Sequence, residues 1–291
     1  MIQPAKEFVV ATRKSPLALK QAEMAVACFE QAIPGTVYRV EKMVTTGDRQ
    51  REWSLEKEGG KGLFTKELED ALLEKRADFA VHSAKDLPSE MPKGLSIAGF
   101  LPRESPEDVL VLKKGIEIPK VIATGSPRRR IQLRFLYPKA EFIEIRGNVD
   151  TRLNKIAEGY ADATVLAAAG LKRLGIVGSE GTEFVKLGLD DCVPAVGQAA
   201  VAIQCRTSDV PEYERALDSS TSIAVGLERA FMKRLGGGCQ VAFAVNYSDG
   251  KLRIYHKDCG RVSRSIPIQY AKEKPTEIAD QLIQQLELGH A

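Results

Sequence analysis

Apolar and polar positions change period several times along the N-terminal third of the chain, and each change predicts an element. Residues 7–12 form a short apolar run that reads as a buried strand. Leu17, Ala18, Ala22, Ala25, Val26 and Phe29 then recur at helical spacing, which predicts a helix over residues 17–32. A second strand is expected over 37–45. A glycine-rich loop over 58–64 leads to a helix over 65–76, and a third strand follows over 78–83. Alternation of this kind predicts α/β domains with mostly parallel sheets.

The same local pattern returns later. Thr12-Arg13-Lys14-Ser15-Pro16 ends one strand and opens a helix, and Thr124-Gly125-Ser126-Pro127 does so after Val121-Ile122. Ala77-Asp78-Phe79-Ala80-Val81 is echoed by Ala161-Asp162-Ala163-Thr164-Val165. The repetition predicts two similarly built α/β domains facing each other across a cleft. From residue 222 the character changes. A helix is expected over 222–235, then strands over 240–247 and 251–256 around Ser248-Asp249-Gly250, a hairpin signal. A strand over 264–270 and a closing helix over 275–288 complete a small α+β domain. The expected division is 1–98 with 196–217, then 99–195, then 218–291. Single cores stop growing near roughly 250–300 residues, and a chain of 291 residues fits such a division.

Charge narrows the function. Lys and Arg number 42 against 39 acidic residues, a net charge of +3. A dedicated nucleic-acid binder usually carries a clear basic excess, so no nucleic-acid partner is expected. No apolar run approaches the roughly 20 residues that span a bilayer, so no membrane association is expected. Residues 1–10 lack the pattern of a secretory leader, and the cysteines are odd in number and scattered, which together suggest a cytoplasmic protein. Neither a C-x-x-C pair nor the spacing of three histidines suits a metal, and none is expected.

Candidate chemistry gathers where predicted strands meet helices. Ser15-Pro16 and Ser126-Pro127 each place a capping serine before a proline at the first helical position. Free N–H groups and the helix dipole make such termini receptive to anions. The second of these helices begins Arg128-Arg129-Arg130. Three cations there oppose the dipole by about 0.3–1 kcal/mol each. Either an arriving polyanion relieves the conflict, or the three side chains point into solvent. Arg13, Arg146, Arg152 and Arg173 occupy comparable positions beside predicted strand ends, and Asn148 can cap the helix that carries Arg152. Guanidinium grips carboxylates through two parallel bonds, so this set predicts a site lined for them. Lys85-Asp86 closes the third strand, either as a structural ion pair or as an acid–base group beside a cation. Cys239 follows three glycines, which suits either a thiol free to form a covalent bond or a small packed side chain. His82, alternating within a strand, reads as a core residue.

Taken in order, these segments resemble the porphobilinogen deaminase (hydroxymethylbilane synthase) family. The resemblance is carried by Thr12-Arg13-Lys14-Ser15-Pro16-Leu17-Ala18, Gly60-Lys61-Gly62-Leu63-Phe64 and His82-Ser83-Ala84-Lys85-Asp86-Leu87-Pro88. It continues through Arg146-Gly147-Asn148-Val149-Asp150-Thr151-Arg152, Ala169-Gly170-Leu171-Lys172-Arg173-Leu174, Pro194-Ala195-Val196-Gly197-Gln198 and Gly237-Gly238-Cys239-Gln240-Val241. The resemblance implies two similar doubly wound, periplasmic-binding-protein-like α/β domains flanking a cleft, plus a small α+β third domain. It implies a dipyrromethane cofactor bound through a thioether to Cys239. The reaction it implies joins four porphobilinogen molecules head to tail with loss of ammonia, then frees hydroxymethylbilane by hydrolysis. The partners are then porphobilinogen and the growing oligopyrrole chain. The protein is expected to be a monomer, with possible hand-off of product to uroporphyrinogen-III synthase.

By match to the family, Asp86 is catalytic. Lys85, Ser126, Arg128 and Arg129 hold cofactor carboxylates, and Arg13, Ser15, Arg146, Arg152 and Arg173 bind substrate, with Phe64 nearby. The competing reading from the residues alone is a two-lobed anion-binding protein without catalysis. The chain departs from the family pattern at Pro127, where leucine is usual, and at Arg130, a third arginine. It departs again at Ala199, where glycine is usual, and at Ala242, where proline is usual.

Overall fold

A computed structural model describes residues 6–49, 62–236 and 242–289. The fold is mixed α/β, with two five-stranded sheets, each packed with helices, and a small third sheet. The chain divides into two compact units. One comprises residues 1–50, 60–103 and 200–222, and the other 51–59, 104–199 and 223–291.

The first unit is built on strands β1 (Lys6–Arg13), β2 (Thr36–Met43), β3 (Phe79–Ser83), β4 (Leu95–Phe100) and β10 (Val201–Arg206), in the order β2-β1-β3-β10-β4. Helix α1 (Pro16–Ala32) follows β1, and α2 (Lys66–Leu73) precedes β3. Ala22, Ala25 and Phe29 of α1 pack on Phe8, Phe79, Val81 and Tyr213, all buried. Phe29 and Phe79 approach to 5.0 Å between ring centroids, with Tyr213 5.2 Å from Phe79. Each fully buried ring of this kind stabilises the fold by about 1.5–3 kcal/mol.

The second unit holds β5 (Asp108–Lys113), β6 (Val121–Ala123), β7 (Glu141–Ile143), β8 (Ala163–Ala167) and β9 (Thr182–Lys186), ordered β7-β6-β8-β5-β9. Its helices are α3 (Pro127–Leu136), α4 (Val149–Ala157) and α5 (Ala168–Arg173). The two sheets share one plan. In each, four of the five strands run in one direction, and the fourth in order (β10 or β5) is antiparallel to both its neighbours. The expected repetition is therefore real, with one strand of each sheet running against the other four. In the first sheet β10 returns from a distant part of the chain, which periodicity cannot reveal.

The remaining sheet of the second unit is β11 (Ala244–Ser248), β12 (Lys251–His256) and β13 (Gly260–Ser265), accompanied by α6 (Ser219–Arg234), α7 (Ile268–Glu273) and α8 (Pro275–Gln285). The Asp249-Gly250 hairpin forms as expected, with φ of 52° and 70° at its two central residues. The strand expected over 264–270 does not form. β13 ends at Ser265, and Pro267, which has no N–H for a ladder, accepts instead from Ala271 N and opens α7.

Candidate active site

In the first unit the Ser83–Leu87 corner is pinned from several sides. Ala84 N donates to Ala200 O at 3.0 Å, which prolongs the β3–β10 ladder by one bond. Leu87 N then donates to Ala84 O in a single 3₁₀ turn over 84–86. Gln21 Nε2 of α1 donates to Ser83 Oγ at 2.9 Å. Ala84 and Leu87 are buried, so the intervening Lys85 and Asp86 project at the end of the strand, each partly exposed. His82, behind them, is buried as expected. Burial, helped by the nearby Arg13 charge, pushes its imidazole down to about 4, which keeps it neutral at pH 7.

Arg13 ends β1, and its guanidinium lies beside this corner. Its Nε donates to Asp48 Oδ2 at 3.2 Å, and its Nη2 donates to Asp48 Oδ1 in a close second contact. Nη1 stands 3.9 Å from Asp86 Oδ2. The ring of Phe64 covers the guanidinium at 4.4 Å, a cation–π contact. Burial would raise the Asp48 carboxyl, but Arg13 and the Thr45 hydrogen bonds outweigh it and hold it below its ordinary range. Ser15 caps α1 as its sequence predicts, accepting from Ala18 N at 3.3 Å.

In the second unit the Arg128–Arg130 run meets neither of the two expected fates. Arg128 and Arg129 turn inward at 5% and 7% exposure and share the fully buried carboxylate of Asp108, at the start of β5. Arg128 Nη2 donates to Asp108 Oδ2 at 2.8 Å, and Arg129 Nη2 donates to Oδ1 at 2.6 Å. Gln198 Nε2 adds a bond to Oδ1 at 2.9 Å. The second nitrogens of the forks reach main-chain oxygens, Arg128 Nη1 to Val193 and Arg129 Nη1 to Val165. Burial alone would push Asp108 up, but the two guanidiniums outweigh it and hold its carboxyl well below the usual range. Arg130 pairs with Glu144 at 3.1 Å. Ser126 caps α3 over Pro127 and accepts from Arg129 N at 3.4 Å. The charge opposed by the helix dipole is thus met within the chain.

One carboxylate shared between two cations leaves this region positive, and the other arginines add to it. Arg152 donates from Nε to Gly147 O at 2.9 Å, a bond made while Asn148, the residue preceding α4, forms no side-chain cap. Burial first, then the charges of Arg129 and Arg146, pull Arg152 down to about 10. Burial likewise lowers Arg146, which lies three residues beyond the end of β7. Arg173 is the last residue of α5 and not at a strand end. Its Nη2 donates to Ala199 O at 2.6 Å, and its buried Nε has no partner among the described residues.

Arg152, depressed by burial and by two neighbouring guanidiniums, and Arg173, with its orphaned donor, are each short of compensating negative charge. Ligand carboxylates suit such groups. Cys239 lies outside the described residues, as do residues 58–61 of the glycine-rich loop. Among the described residues, no group of three or more His, Cys, Asp or Glu side chains could hold a metal ion. No described helix is long and apolar enough to cross a membrane.

Two family models match the sequence. Residues 8–213 match the dipyromethane cofactor binding domain of porphobilinogen deaminase, and residues 222–284 match its C-terminal domain. The chain belongs to the porphobilinogen deaminase family. The porphobilinogen deaminase of Sorangium cellulosum is 44% identical over 246 residues, covering 82% of this chain and 81% of that protein. That of Brevibacillus brevis is 44% identical over 245 residues, covering 81% and 78%. The chloroplastic enzyme of Euglena gracilis is 42% identical over 269 residues, which span 86% of this chain and 55% of the longer protein. Among solved structures, the chain is similar to the VFT2 domain of Bordetella pertussis BvgS at TM-score 0.45 and 16% identity, covering 75% of this chain and 88% of that one. The family is one of transferases in tetrapyrrole biosynthesis, and its first domain binds a dipyrromethane cofactor.

Several residues that sequence reasoning passed over support the site. Asp48 and Asp108 supply the carboxylates that hold three of the arginines. Glu228 of α6 is fully buried and accepts from Gly197 N at 2.7 Å and Tyr247 N at 2.8 Å, tying the Pro194–Gln198 segment to β11. Thr45-Thr46-Gly47-Asp48, with its capping-type residues before a short helical turn, is the one local signal that pointed to any of these.

Proposed function

We propose that the hydroxymethylbilane synthase reaction of this family runs here through the Asp86 carboxylate, with the arginines holding the acidic side chains of the pyrroles. The observation that carries this is the pinned 84–86 turn. It holds one carboxylate at a strand end, close to but not consumed by the Arg13 guanidinium.

The dipyrromethane, when bound, supplies the pyrrole end to which the first substrate unit is joined. Porphobilinogen loses its aminomethyl nitrogen as ammonia and becomes a cationic azafulvene. A fixed carboxylate beside the pyrrole N–H stabilises that cation as it develops, and accepts a proton once the new carbon–carbon bond has formed. Asp86 does this work in our assignment. Arg13, Ser15, Arg146, Arg152 and Arg173 orient substrate carboxylates, and Phe64 lies beside Arg13. Lys85, Ser126, Arg128 and Arg129 hold those of the cofactor, which is joined to the chain through Cys239. The buried charge excess around Arg152 and the orphaned Arg173 Nε support this division.

The assignment extends to a three-domain chain, divided as 1–98 with 196–217, 99–195 and 218–291. It also takes in a cytoplasmic monomer whose product passes to uroporphyrinogen-III synthase. The free thiols of Cys28, Cys192, Cys205 and Cys259 suit a reducing compartment. An anion-binding protein without catalysis is not favoured, because both family models belong to the enzyme. Kinetics of bilane formation, with ammonia counted per porphobilinogen consumed, test the reading. Asp86→Asn should lower kcat by about 100-fold or more, with thermal stability near that of the parent. Bilane formation at the parental rate by a folded Asp86→Asn variant would refute it.

A further inference from the structure

We propose that Asp48 is a positioning residue whose task is to keep the Arg13 guanidinium from closing onto Asp86. The inference rests on the role assigned above to Asp86, and extends it.

Arg13 stands between two carboxylates and is bound to them unequally. It faces Asp48 through two nitrogens, Nε at 3.2 Å from Oδ2 and Nη2 close to Oδ1. Its nearest approach to Asp86 is 3.9 Å, from Nη1 to Oδ2, beyond hydrogen-bonding distance. Phe64 covers the flat face of the guanidinium at 4.4 Å, which restricts its swing. Both side chains of the Arg13–Asp48 pair are better covered than Asp86, with exposures of 22% and 12% against 28%.

The unequal grip is built into the chain. Asp48 accepts from Thr45 Oγ1 at 2.8 Å and from Thr45 N at 3.3 Å, so its carboxylate is set before Arg13 arrives. The turn that carries it is fastened to α2. Thr46 donates through N at 2.8 Å and Oγ1 at 2.7 Å to Glu67 Oε1, and Gly47 N donates to Leu63 O at 2.8 Å. A bidentate arginine–carboxylate pair held this way is among the stronger polar contacts available at a partly exposed site.

The chemistry gives the arrangement its point. A carboxylate that must stabilise a developing cation is weakened by a guanidinium that neutralises its charge and occupies its lone pairs. With Asp48 satisfying Arg13, Asp86 keeps its charge for the substrate. The guanidinium still lies close enough to meet a substrate carboxylate. Without Asp48, the acidic neighbour left to Arg13 among the described residues is the catalytic one.

Steady-state bilane synthesis by the holoenzyme, comparing Asp48→Asn, Arg13→Gln, the double variant and Asp86→Asn, tests this. Asp48→Asn should lower kcat by about tenfold or more, with a smaller change in KM. Arg13→Gln should act chiefly on KM. In the double variant kcat should rise above that of Asp48→Asn, toward that of Arg13→Gln, because the guanidinium that covered Asp86 is gone. A merely structural Asp48 would give a double variant no better than Asp48→Asn, and that result overturns the proposal. So does an Asp48→Asn enzyme with parental kcat. If Asp48→Asn alone does not fold, the double variant carries the test, since it leaves no unpaired charge. Its kcat must then match that of Arg13→Gln, and loss of kcat would count against the guarding role. Parental kcat in Asp86→Asn would instead overturn the assignment of Asp86, whatever Asp48 does.

Discussion

Replacing Asp108 by asparagine should destabilise the second unit severely. The carboxylate is fully buried, and its two partners, Arg128 and Arg129, retain only 6% and 9% side-chain exposure. At an effective dielectric near 20, each cation at such range gains about 4 kcal/mol from the carboxylate. Most of that offsets desolvation, so the pair contributes little net stability when intact. Its loss is another matter, because asparagine leaves two buried guanidiniums without the carboxylate they share. Breaking a single buried pair costs about 3–5 kcal/mol, and here one substitution breaks two. At roughly 2–4 °C per kcal/mol, the melting midpoint should fall by about 10 °C or more. Differential scanning calorimetry reads this directly. The pH dependence adds a second check. Asp108 is held below its unfolded value, so its contribution is complete above the ordinary carboxylate range and is lost as pH falls through its depressed folded value. The gap between parent and variant should therefore be flat from pH 5 to 8 and narrow only in strong acid. A midpoint within about 2 °C of the parent at neutral pH would refute the claim that Asp108 compensates both arginines.

Three further outcomes follow from the geometry. Arg152→Gln should raise KM for porphobilinogen by about tenfold without lowering the melting midpoint, because the charge removed is disfavoured by burial and by Arg129 and Arg146; a clear fall in midpoint would show that the arginine is structural. Ala199→Gly should raise the midpoint, because Ala199 sits at φ 71°, where a side chain costs about 1 kcal/mol; a drop would show that the neighbouring segment, not the backbone, sets the strain. Gly147→Ala should impair substrate binding through misplacement of Arg146 and Arg152, since at φ 120° an added Cβ would meet Thr151 at 2.8 Å; an unchanged KM would contradict it.

Local rules were readable in the sequence wherever the cause was itself local. Ser15-Pro16 and Ser126-Pro127 cap their helices, and Asp249-Gly250 makes its hairpin, because a few adjacent residues decide each. The departure at Ala199 was visible as an alanine in a glycine position, and its positive φ gives the physical meaning. What could not be read was long-range partnership. The conflict of Arg128–Arg130 with the helix dipole is legible in the sequence, but the carboxylate that answers the first two lies twenty residues before Arg128, at the start of another strand. Asp48 was hidden for the same reason, thirty-five residues from Arg13. Mixed sheet direction also escaped notice, since β10 and β5 look like any buried strand until their partners are known. At residues 264–270, alternation of apolar positions suggested a strand, and a single proline overrode it.

An enzyme that assembles an oligopyrrole needs a primer held in place, and the proposed anchor of that primer is the Cys239 thiol. Peptide mapping by mass spectrometry on the purified, catalytically active protein measures it directly. The peptide containing Cys239 should carry the added mass of a dipyrromethane, and Cys239→Ala protein should carry none. An active preparation with Cys239 unmodified, or with the added mass on another cysteine, would contradict the account.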